Sequence, residues 1–382
     1  MDFDLTAEQA TFRDVVREFA EAEIAPRAHE MDASGEFPVD LMPKMGELGL
    51  FGLPFSEADG GAGADYLTYC LALEEIGRAD QSVGITLEAA VSLGAAPFVY
   101  WGTQQQKDRW LEPLLRGERL GAFGLTEPGG GSDAQATQTR AERDGDEFVI
   151  NGAKTFITNS GTPITQNITI TAVTGRRDDG FVEISNIIVP AGTAGLVVEQ
   201  KYAKMGWRAS DTHGLIFEDC RVPVDHLLGE EGQGFRNFLE ILDEGRIAIA
   251  ALSVGLAQAC LDEVQRYAGE REAFGRPIGS YQGVSFKIAD MAVAVENART
   301  LTYKAAWLRD QDRPFKKEAA MAKLYASEAA VTATREATQI FGGYGFIDEY
   351  AVSRYYRDAK VLEIGEGTSE IQRIVIAKEL GL

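Results

Sequence analysis

The spacing of apolar residues changes twice along this chain, and these changes limit the folds available to it. The first third shows one-face helical spacing, the middle third carries short alternating or β-rich runs between turn residues, and the last third is helical again. This order predicts a mainly α protein into which a β-barrel or sandwich domain is inserted. The predicted domains are an N-terminal α-helical domain at 1–120, a middle β domain at 121–228 and a C-terminal helical bundle at 229–382.

Local signals predict individual elements within these domains. Asp144-Gly145 and Asn151-Gly152 are both dipeptides that favour hairpin turns, and they lie on either side of the apolar run 148–150. We therefore expect two tight turns there. The last four predicted helices cover 281–310, 315–341, 348–360 and 368–379.

Composition argues against several classes of protein. The 382-residue chain has 37 Lys and Arg against 59 Asp and Glu, a formal net charge of −22. Such a surface repels nucleic acids and anionic membranes, so neither is an expected partner. With three histidines and three widely spaced cysteines, the sequence offers no pattern for a zinc site, a Ser-His-Asp triad or a structural metal, and it favours a reducing compartment.

The amino-terminal sequence and the apolar runs bear on location. Residues 1–5 contain neither the basic segment nor the apolar core of a secretion signal. The longest mostly apolar run, 247–257, is shorter than the roughly 20 residues that cross a bilayer. We therefore expect a cytoplasmic protein of the bacterial type, without membrane insertion.

One carboxylate has an unusual setting. Glu366 lies between Gly365 and Gly367 just before a predicted helix, and the glycines leave room for a flat substrate to approach it. Ser369 and Gln372 have capping-box spacing, which places the helix start near Thr368 or Ser369. Alone, this segment also fits an ordinary helix N-terminus with an acid that suits the helix dipole.

Two segments of the middle domain are typical of ligand contact. Residues 122–133 place three glycines before Ser132, which frees backbone N–H groups to face an anion or a flat ring. Phe156 and Thr158 are two positions apart and share one strand face, where a ring can pack on a planar cofactor and a hydroxyl can bond a ring heteroatom. A glycine-rich loop and an edge strand are the structural alternatives.

Two further segments lie in the last third of the chain. Arg271 is suited to a diphosphate through its bidentate guanidinium, and Phe274 is suited to stacking on a nucleobase. Gly342 and Gly343 follow Gln339 at the end of a predicted helix, where they allow a nucleotide to approach closely. The alternatives are a basic helix end with a Gly/Pro turn, and a glycine C-cap.

The combination and order of these five segments resemble the acyl-CoA dehydrogenase family of flavoproteins. The resemblance spans essentially the whole chain, and 204–212 and 217–223 look like the family's β-domain signature. It implies a three-domain fold that ends in a C-terminal four-helix bundle, assembled as a homotetramer. It also implies FAD between the β domain and the bundle, an acyl-CoA substrate, and an electron-transfer flavoprotein that receives the electrons.

The same resemblance assigns roles to residues of this chain. Contacts to FAD are implied for Phe123, Leu125, Thr126, Ser132, Phe156, Thr158, Thr368 and Glu370, with Thr158 near flavin N5. Residues implied to reach the FAD of an adjacent subunit are Arg271, Phe274, Gln282, Gln339, Gly342 and Gly343. Substrate contacts are implied for Ser132, Asp243, Arg246 and Gly367.

Glu366 is the implied catalytic base of an α,β-dehydrogenation that yields a trans-2-enoyl-CoA. A dry pocket is expected to raise its pKa into the range of a general base. In isovaleryl-type relatives the base comes from the helix position that Gly245 occupies here. Glu244 is disfavoured as a substitute, because one helical step turns a side chain by about 100°. Gly365 occupies the position at which many relatives carry an aromatic residue that flanks the substrate. Its small size is expected to widen the pocket or admit branched acyl groups.

Acyl chain length stays open at this point, because the inward-facing members of 87–93 and 239–242 are not identified. Glu88 is a candidate polar group of the acyl pocket, although a solvated helix face is the favoured interpretation. The alternative functions are a glutaryl-CoA-type dehydrogenase, an acyl-CoA oxidase and, in a different class, a non-catalytic interaction module of the same fold. A glutaryl-type enzyme needs a pocket cation for the distal carboxylate, and the sequence places none.

Overall fold

The computed structural model describes residues 4–177 and 180–382. Helical parts flank a β sheet, which confirms the predicted mainly α fold with an inserted β domain. The helices of the first part are α1 (Ala7–Phe19), α2 (Ala28–Ser34), α3 (Leu41–Glu47), α4 (Tyr66–Ala79), α5 (Gln81–Glu88), α6 (Ala96–Trp101), α7 (Gln104–Gln106) and α8 (Glu112–Leu115).

Helix α5 starts and ends in ways that matter for the site. Its N-cap is Asp80, whose carboxylate accepts from the Val83 N–H at 3.0 Å and also pairs with Arg354. Beyond Glu88 the helix continues as a π-helical segment, Ala89–Ala95, before α6 begins. A π-helical insertion changes which side chains face a neighbouring helix, and such insertions are frequent at functional sites.

The middle part is a sheet whose strands follow the order β6-β7-β3-β2-β4-β5-β8, with β1 paired in parallel to β4. Alternate side chains of these strands pack into a core separate from that of the helices. The strands are β1 (Leu120–Gly124), β2 (Arg140–Asp144), β3 (Glu147–Thr158), β4 (Thr165–Arg176), β5 (Val182–Pro190), β6 (Leu196–Val198), β7 (Thr212–Pro223) and β8 (Leu227–Leu228).

One of the two predicted hairpin turns is present, and the prediction of the other is wrong. Strands β2 and β3 pair antiparallel around Gly145, as expected. Asn151-Gly152 instead lies inside β3, at a shift in its pairing with β7. Gly152 has a φ of 151°, and a Cβ there would lie 2.6 Å from the Thr139 hydroxyl oxygen. The glycine is therefore needed for close packing beside a bulge, not for a turn.

Five helices and one short two-stranded ribbon form the last part of the described chain. The final four helices lie close to their predicted bounds. The elements are α9 (Gly234–Glu270), β9 (Glu272–Ala273), β10 (Arg276–Pro277), α10 (Gln282–Asp310), α11 (Lys316–Phe341), α12 (Ala351–Ala359) and α13 (Ser369–Glu379). Helix α9 packs against α4, α5, α10 and α11, so it connects the two helical parts in one core.

Two stretches of the described chain are long and apolar enough to cross a membrane, Gln81–Trp101 and Gly234–Glu270. In the structure, 89% and 83% of their most apolar windows are buried. Buried core helices show this pattern, so neither stretch is good evidence for a membrane span.

Candidate active site

Glu366 lies in a tight turn that precedes α13. Its φ is 54° and that of Gly367 is 90°, so two successive residues adopt left-handed backbone. Such a conformation is costly for a glutamate and needs support from its surroundings. The turn sets the direction of the Glu366 side chain independently of the α13 helix.

Two side chains hold the carbonyl groups of this turn. Gln372 donates through Nε2 to the main-chain oxygens of Glu366 and Gly367, at 3.2 and 2.9 Å. The predicted capping box of Ser369 and Gln372 is therefore wrong. Thr368 is the N-cap instead, because its hydroxyl accepts the N–H of the third helical residue at 3.3 Å.

The second supporting side chain is a buried lysine. Lys323 on α11 is fully buried, and its Nζ donates to the Gly367 oxygen at 2.7 Å. Burial lowers its pKa to about 8, and the nearby Glu366 opposes that shift. Sequence reasoning missed this residue; the available signal was a lysine among alanines on the core-facing side of a long helix.

The Glu366 carboxyl group lies directly against Gly245 of α9. A Cβ on Gly245 would lie 2.5 Å from Glu366 Oε2, so only glycine leaves space for the carboxyl group in this position. Oε2 is buried and has no hydrogen-bond partner among the described residues. Burial raises the pKa of Glu366 to about 7, while Arg246 and Lys323 oppose the rise.

The prediction for Glu88 is corrected by the structure. Its side chain is fully buried, not solvated, and neither carboxyl oxygen finds a partner in the described part of the chain. Glu88 Oε1 lies 3.7 Å from the same Cβ position on Gly245. Burial and the Glu366 charge both raise the pKa of Glu88 well above its ordinary value. Two carboxyl groups therefore approach the same point on α9.

Arg246 and Asp243, predicted substrate contacts, form an ion pair one helical turn apart on α9. Burial lowers the pKa of Arg246, and the charges of Asp243 and Glu366 oppose that effect. Its Nε is buried without a partner among the residues described. The guanidinium thus supplies positive charge to Glu366 and keeps one donor free.

Glu244 faces another direction, as the helical periodicity indicated. Its carboxylate accepts from Tyr100 at 2.7 Å and pairs with Arg309 at 3.2 Å. A carboxylate satisfied by these partners is poorly placed to compete with Glu366.

The glycine-rich loop after β1 is anchored by a buried ion pair. Lys154 of β3 lies 2.8 Å from the carboxylate of Glu127, which also accepts the backbone N–H groups of Gln138 and Thr139 at 2.7 and 3.0 Å. A Cβ on Gly129 would meet nothing within 4 Å. Gly129 therefore faces open space, whereas a Cβ on Gly130 or Gly131 would make ordinary contacts within the loop, with Asp133 or Thr126.

The predicted cofactor residues of the middle domain lie around this loop. Phe123 is nearly buried and stacks on Phe238, whereas Ser132 is exposed. Phe156 is 66% exposed with a φ of 60°, and Thr158 is half-buried. Leu125 and Thr126 are also half-buried. An aromatic ring held outward in strained backbone is the surface that a planar ring system would cover.

A second group of predicted cofactor residues lies at the end of α9 and α11. Arg271 contacts the Tyr344 ring at 5.6 Å and borders a cavity of about 400 Å³ with Gly342 and Gly343. Gln339 borders a neighbouring cavity of about 580 Å³ that also contains Gly342. The other two members, Phe274 and Gln282, are exposed, Phe274 by 97%.

These two groups fit a dinucleotide with a planar ring system. Open glycines, exposed aromatic rings and an arginine are the kinds of group that can contact the diphosphate and the rings of such a cofactor. Thr368 is half-buried beside Glu366, and Glu370 is exposed in the first turn of α13. Within 4–177 and 180–382 there is no group of three or more His, Cys, Asp or Glu side chains arranged to hold a metal ion.

Comparison with known proteins agrees over the full chain. The N-terminal, middle and C-terminal domain models of acyl-CoA dehydrogenase match residues 6–118, 122–220 and 232–381. A probable acyl-CoA dehydrogenase of Bacillus subtilis is 54% identical, with all of both chains covered.

Two solved structures are also very similar. Butyryl-CoA dehydrogenase from Megasphaera elsdenii matches with a TM-score of 0.96 and 43% identity, and all of both chains is covered. A chain from the structure of an electron transferring flavoprotein of Acidaminococcus fermentans, studied for flavin-based electron bifurcation, has a TM-score of 0.96 and 44% identity. That alignment covers 100% of this chain and 99% of the other.

Proposed function

The chain belongs to the acyl-CoA dehydrogenase family of FAD-dependent flavoproteins, and from that premise we propose that it dehydrogenates short-chain acyl-CoA thioesters with Glu366 as the base. The family membership identifies an enzyme that uses FAD and an acyl-CoA. The identity of the base and the length of the acyl group are the parts that we propose.

One observation carries the assignment of the base. The Glu366 carboxyl group is held by a strained, doubly supported turn, yet its Oε2 has no hydrogen-bond partner within the described chain. Leaving a buried carboxyl oxygen unpaired costs roughly 1–3 kcal/mol or more. A group kept in that condition is available to accept a proton from a bound substrate.

The chemistry then divides between the chain and its cofactor. Bound FAD supplies the acceptor for the hydride that leaves the β-carbon. The Glu366 carboxylate removes the α-proton, and its backbone N–H is proposed to donate to the thioester oxygen, where negative charge develops. Arg246 and Lys323 oppose the burial that would otherwise keep Glu366 protonated, so the carboxylate is available near neutral pH.

Two features support a short acyl group. The structural neighbour from Megasphaera elsdenii is named for butyryl-CoA. Glu88 also brings a buried carboxyl group close to Glu366, where a long apolar chain would find a polar wall. Gly365 leaves lateral room, because a Cβ there would meet only the Val361 oxygen, at 3.6 Å. This room favours a small branched acyl group as a second substrate.

The electron acceptor and the assembly are further parts of the proposal. We propose that electrons pass to an electron-transfer flavoprotein, which is supported by the similarity to a chain from a structure of such a flavoprotein. A homotetramer in the cytoplasm is proposed on the family resemblance. The exposed Phe274 and the open glycines of the second group are then completed by FAD and a neighbouring subunit.

Anaerobic mixing with butanoyl-CoA tests the function. The FAD-loaded protein is expected to lose its visible flavin absorbance within the mixing experiment. The Glu366→Gln variant should bind FAD equally well but keep its absorbance. Bleaching of that variant at the wild-type rate would contradict the assignment of the base, and a colourless wild-type protein that takes up no FAD would contradict the function.

A further inference from the structure

We propose that Glu88 is a substrate-recognition residue, which selects short acyl groups that carry a hydrogen-bond donor, such as a hydroxyl group, beyond the β-carbon. The inference rests on the proposed function, because it needs an acyl group in contact with Glu366. It adds a polar subsite to the acyl pocket.

Four polar atoms form a buried cluster around Glu88. Both carboxyl oxygens of Glu88, the Tyr69 hydroxyl and the Ser92 hydroxyl are buried without a well-formed hydrogen bond among the described residues. Ser92 lies close enough to Glu88 and Tyr69 to lower the pKa of each, so it is the one polar neighbour that the cluster supplies to itself. The four atoms come from α5, from α4 and from the π-helical segment. Natural proteins rarely leave so many buried polar atoms unpaired, so this cluster is expected to contact a ligand or water.

The cluster lies beside the reacting centre. Glu88 Oε1 and Glu366 Oε2 both approach the Cβ position on Gly245, at 3.7 and 2.5 Å. Burial raises the pKa of Tyr69, and the charges of Glu88 and Glu366 add to this rise, because the hydroxyl lies near both carboxyl groups. An acyl chain whose α-carbon contacts Glu366 therefore extends close to Glu88.

The charges around this space select the chemical class of the ligand. Glu366 and Glu88 are both acids, so a distal carboxylate on the acyl group would face two like groups. An entirely apolar chain would leave at least one Glu88 oxygen without a partner, because the Ser92 hydroxyl has a single hydrogen to donate, and an unpaired buried oxygen costs roughly 1–3 kcal/mol. A hydroxyl group avoids both problems, because it can donate to the carboxyl oxygens and accept from the neighbouring hydroxyls. The glutaryl-type alternative is disfavoured for the same reason.

Two thioesters of equal size separate these possibilities. In 4-hydroxybutanoyl-CoA a hydroxyl group replaces the terminal methyl group of pentanoyl-CoA. We measure kcat/KM for both thioesters with an artificial electron acceptor. The wild-type kcat/KM should be about tenfold or more higher for the hydroxyl substrate, because one buried hydrogen bond to a carboxyl group contributes a free energy of that size.

Variants at one position assign the preference to Glu88. Glu88→Leu, which keeps the volume and removes the polar atoms, should reduce this ratio about tenfold or more, and the near-isosteric Glu88→Gln should retain part of the preference. Glu118→Leu is a matched control on the exposed surface and should leave the ratio unchanged.

Two results would overturn the proposal. One is a wild-type preference for pentanoyl-CoA, which would show that water or nothing satisfies Glu88. The other is an equal ratio in wild type, Glu88→Leu and Glu88→Gln. If neither thioester nor butanoyl-CoA bleaches the wild-type flavin, the proposed function fails first, and this inference fails with it.

Discussion

The two halves of the candidate site differ in how complete they are within one chain. Around Glu366, the turn and the charges are all built from α5, α9, α11 and the start of α13. Glu88, Arg246 and Lys323 are buried there, and Glu366 is half-buried with its Oε2 atom inside. Around Phe274, Gly342 and Gly343, the side chains and glycines face open space. Proton transfer needs a fixed carboxylate in a dry site, whereas a cofactor surface must stay open until the cofactor covers it.

The comparison predicts its largest effect at Glu366. Replacing this residue with glutamine removes the base and keeps the shape, so flavin reduction by butanoyl-CoA should slow by at least ~10²–10⁴-fold. FAD content, measured by absorbance after gel filtration, should match wild type. A large loss of FAD instead would show that the two halves depend on each other.

Gly245→Ala should have the next largest effect. The added Cβ would lie 2.5 Å from Glu366 Oε2, so the carboxyl group must move, and a displacement of about 1 Å can cost about 10²-fold in rate. Gly269→Ala is the matched control on the same helix, because a Cβ there would meet nothing within 4 Å. Equal single-turnover rates for both variants would contradict the role of Gly245 in making room for the base.

Lys323→Met tests how the positive charge of Lys323 affects the ionisation of Glu366. It removes a cation that lowers the pKa of Glu366 and a donor to the Gly367 oxygen. The pH at which kcat/KM reaches half its maximum should rise, and the rate at neutral pH should fall about tenfold. Lys304→Met, at an exposed position of the neighbouring helix α10, should keep the wild-type pH profile. An unchanged profile in Lys323→Met would limit this lysine to a structural role.

Phe274→Ala should have the smallest effect on the chemical step. It should instead weaken FAD binding at the open half of the site. Loss of base stacking is expected to weaken FAD binding by roughly 1–3 kcal/mol. With FAD at saturation, the pH profile should match wild type, because Phe274 lies outside the Glu366 environment. Phe274→Tyr keeps an aromatic ring and should retain most of the affinity. A changed pH profile in Phe274→Ala would remove the distinction between the two halves.

Much of the fold was predictable because periodicity and turn chemistry are local. Helix α11 and the turn at Gly145 follow directly from such patterns. Gly152 was misinterpreted because a glycine needed for close packing beside Thr139 has the same sequence signal as one needed for a turn.

The sequence singled out Glu366 but not every charged residue packed around it. The glycines that flank Glu366 are a local signal. Glu88 and Lys323 are ordinary charged residues in helices, and only tertiary packing buries them. The π-helical segment after Glu88 adds to the difficulty, because it breaks the regular spacing from which an inward face is inferred.

The most direct test of the central claim is the pH dependence of kcat/KM for butanoyl-CoA, because this ratio reports ionisation of the free enzyme. Since only the carboxylate form of Glu366 can remove a proton, kcat/KM should rise with pH and level off above an apparent pKa near 7, the value to which burial raises this group. A profile that is flat across this range, or one that Glu366→Gln reproduces at the wild-type rate, would contradict the account.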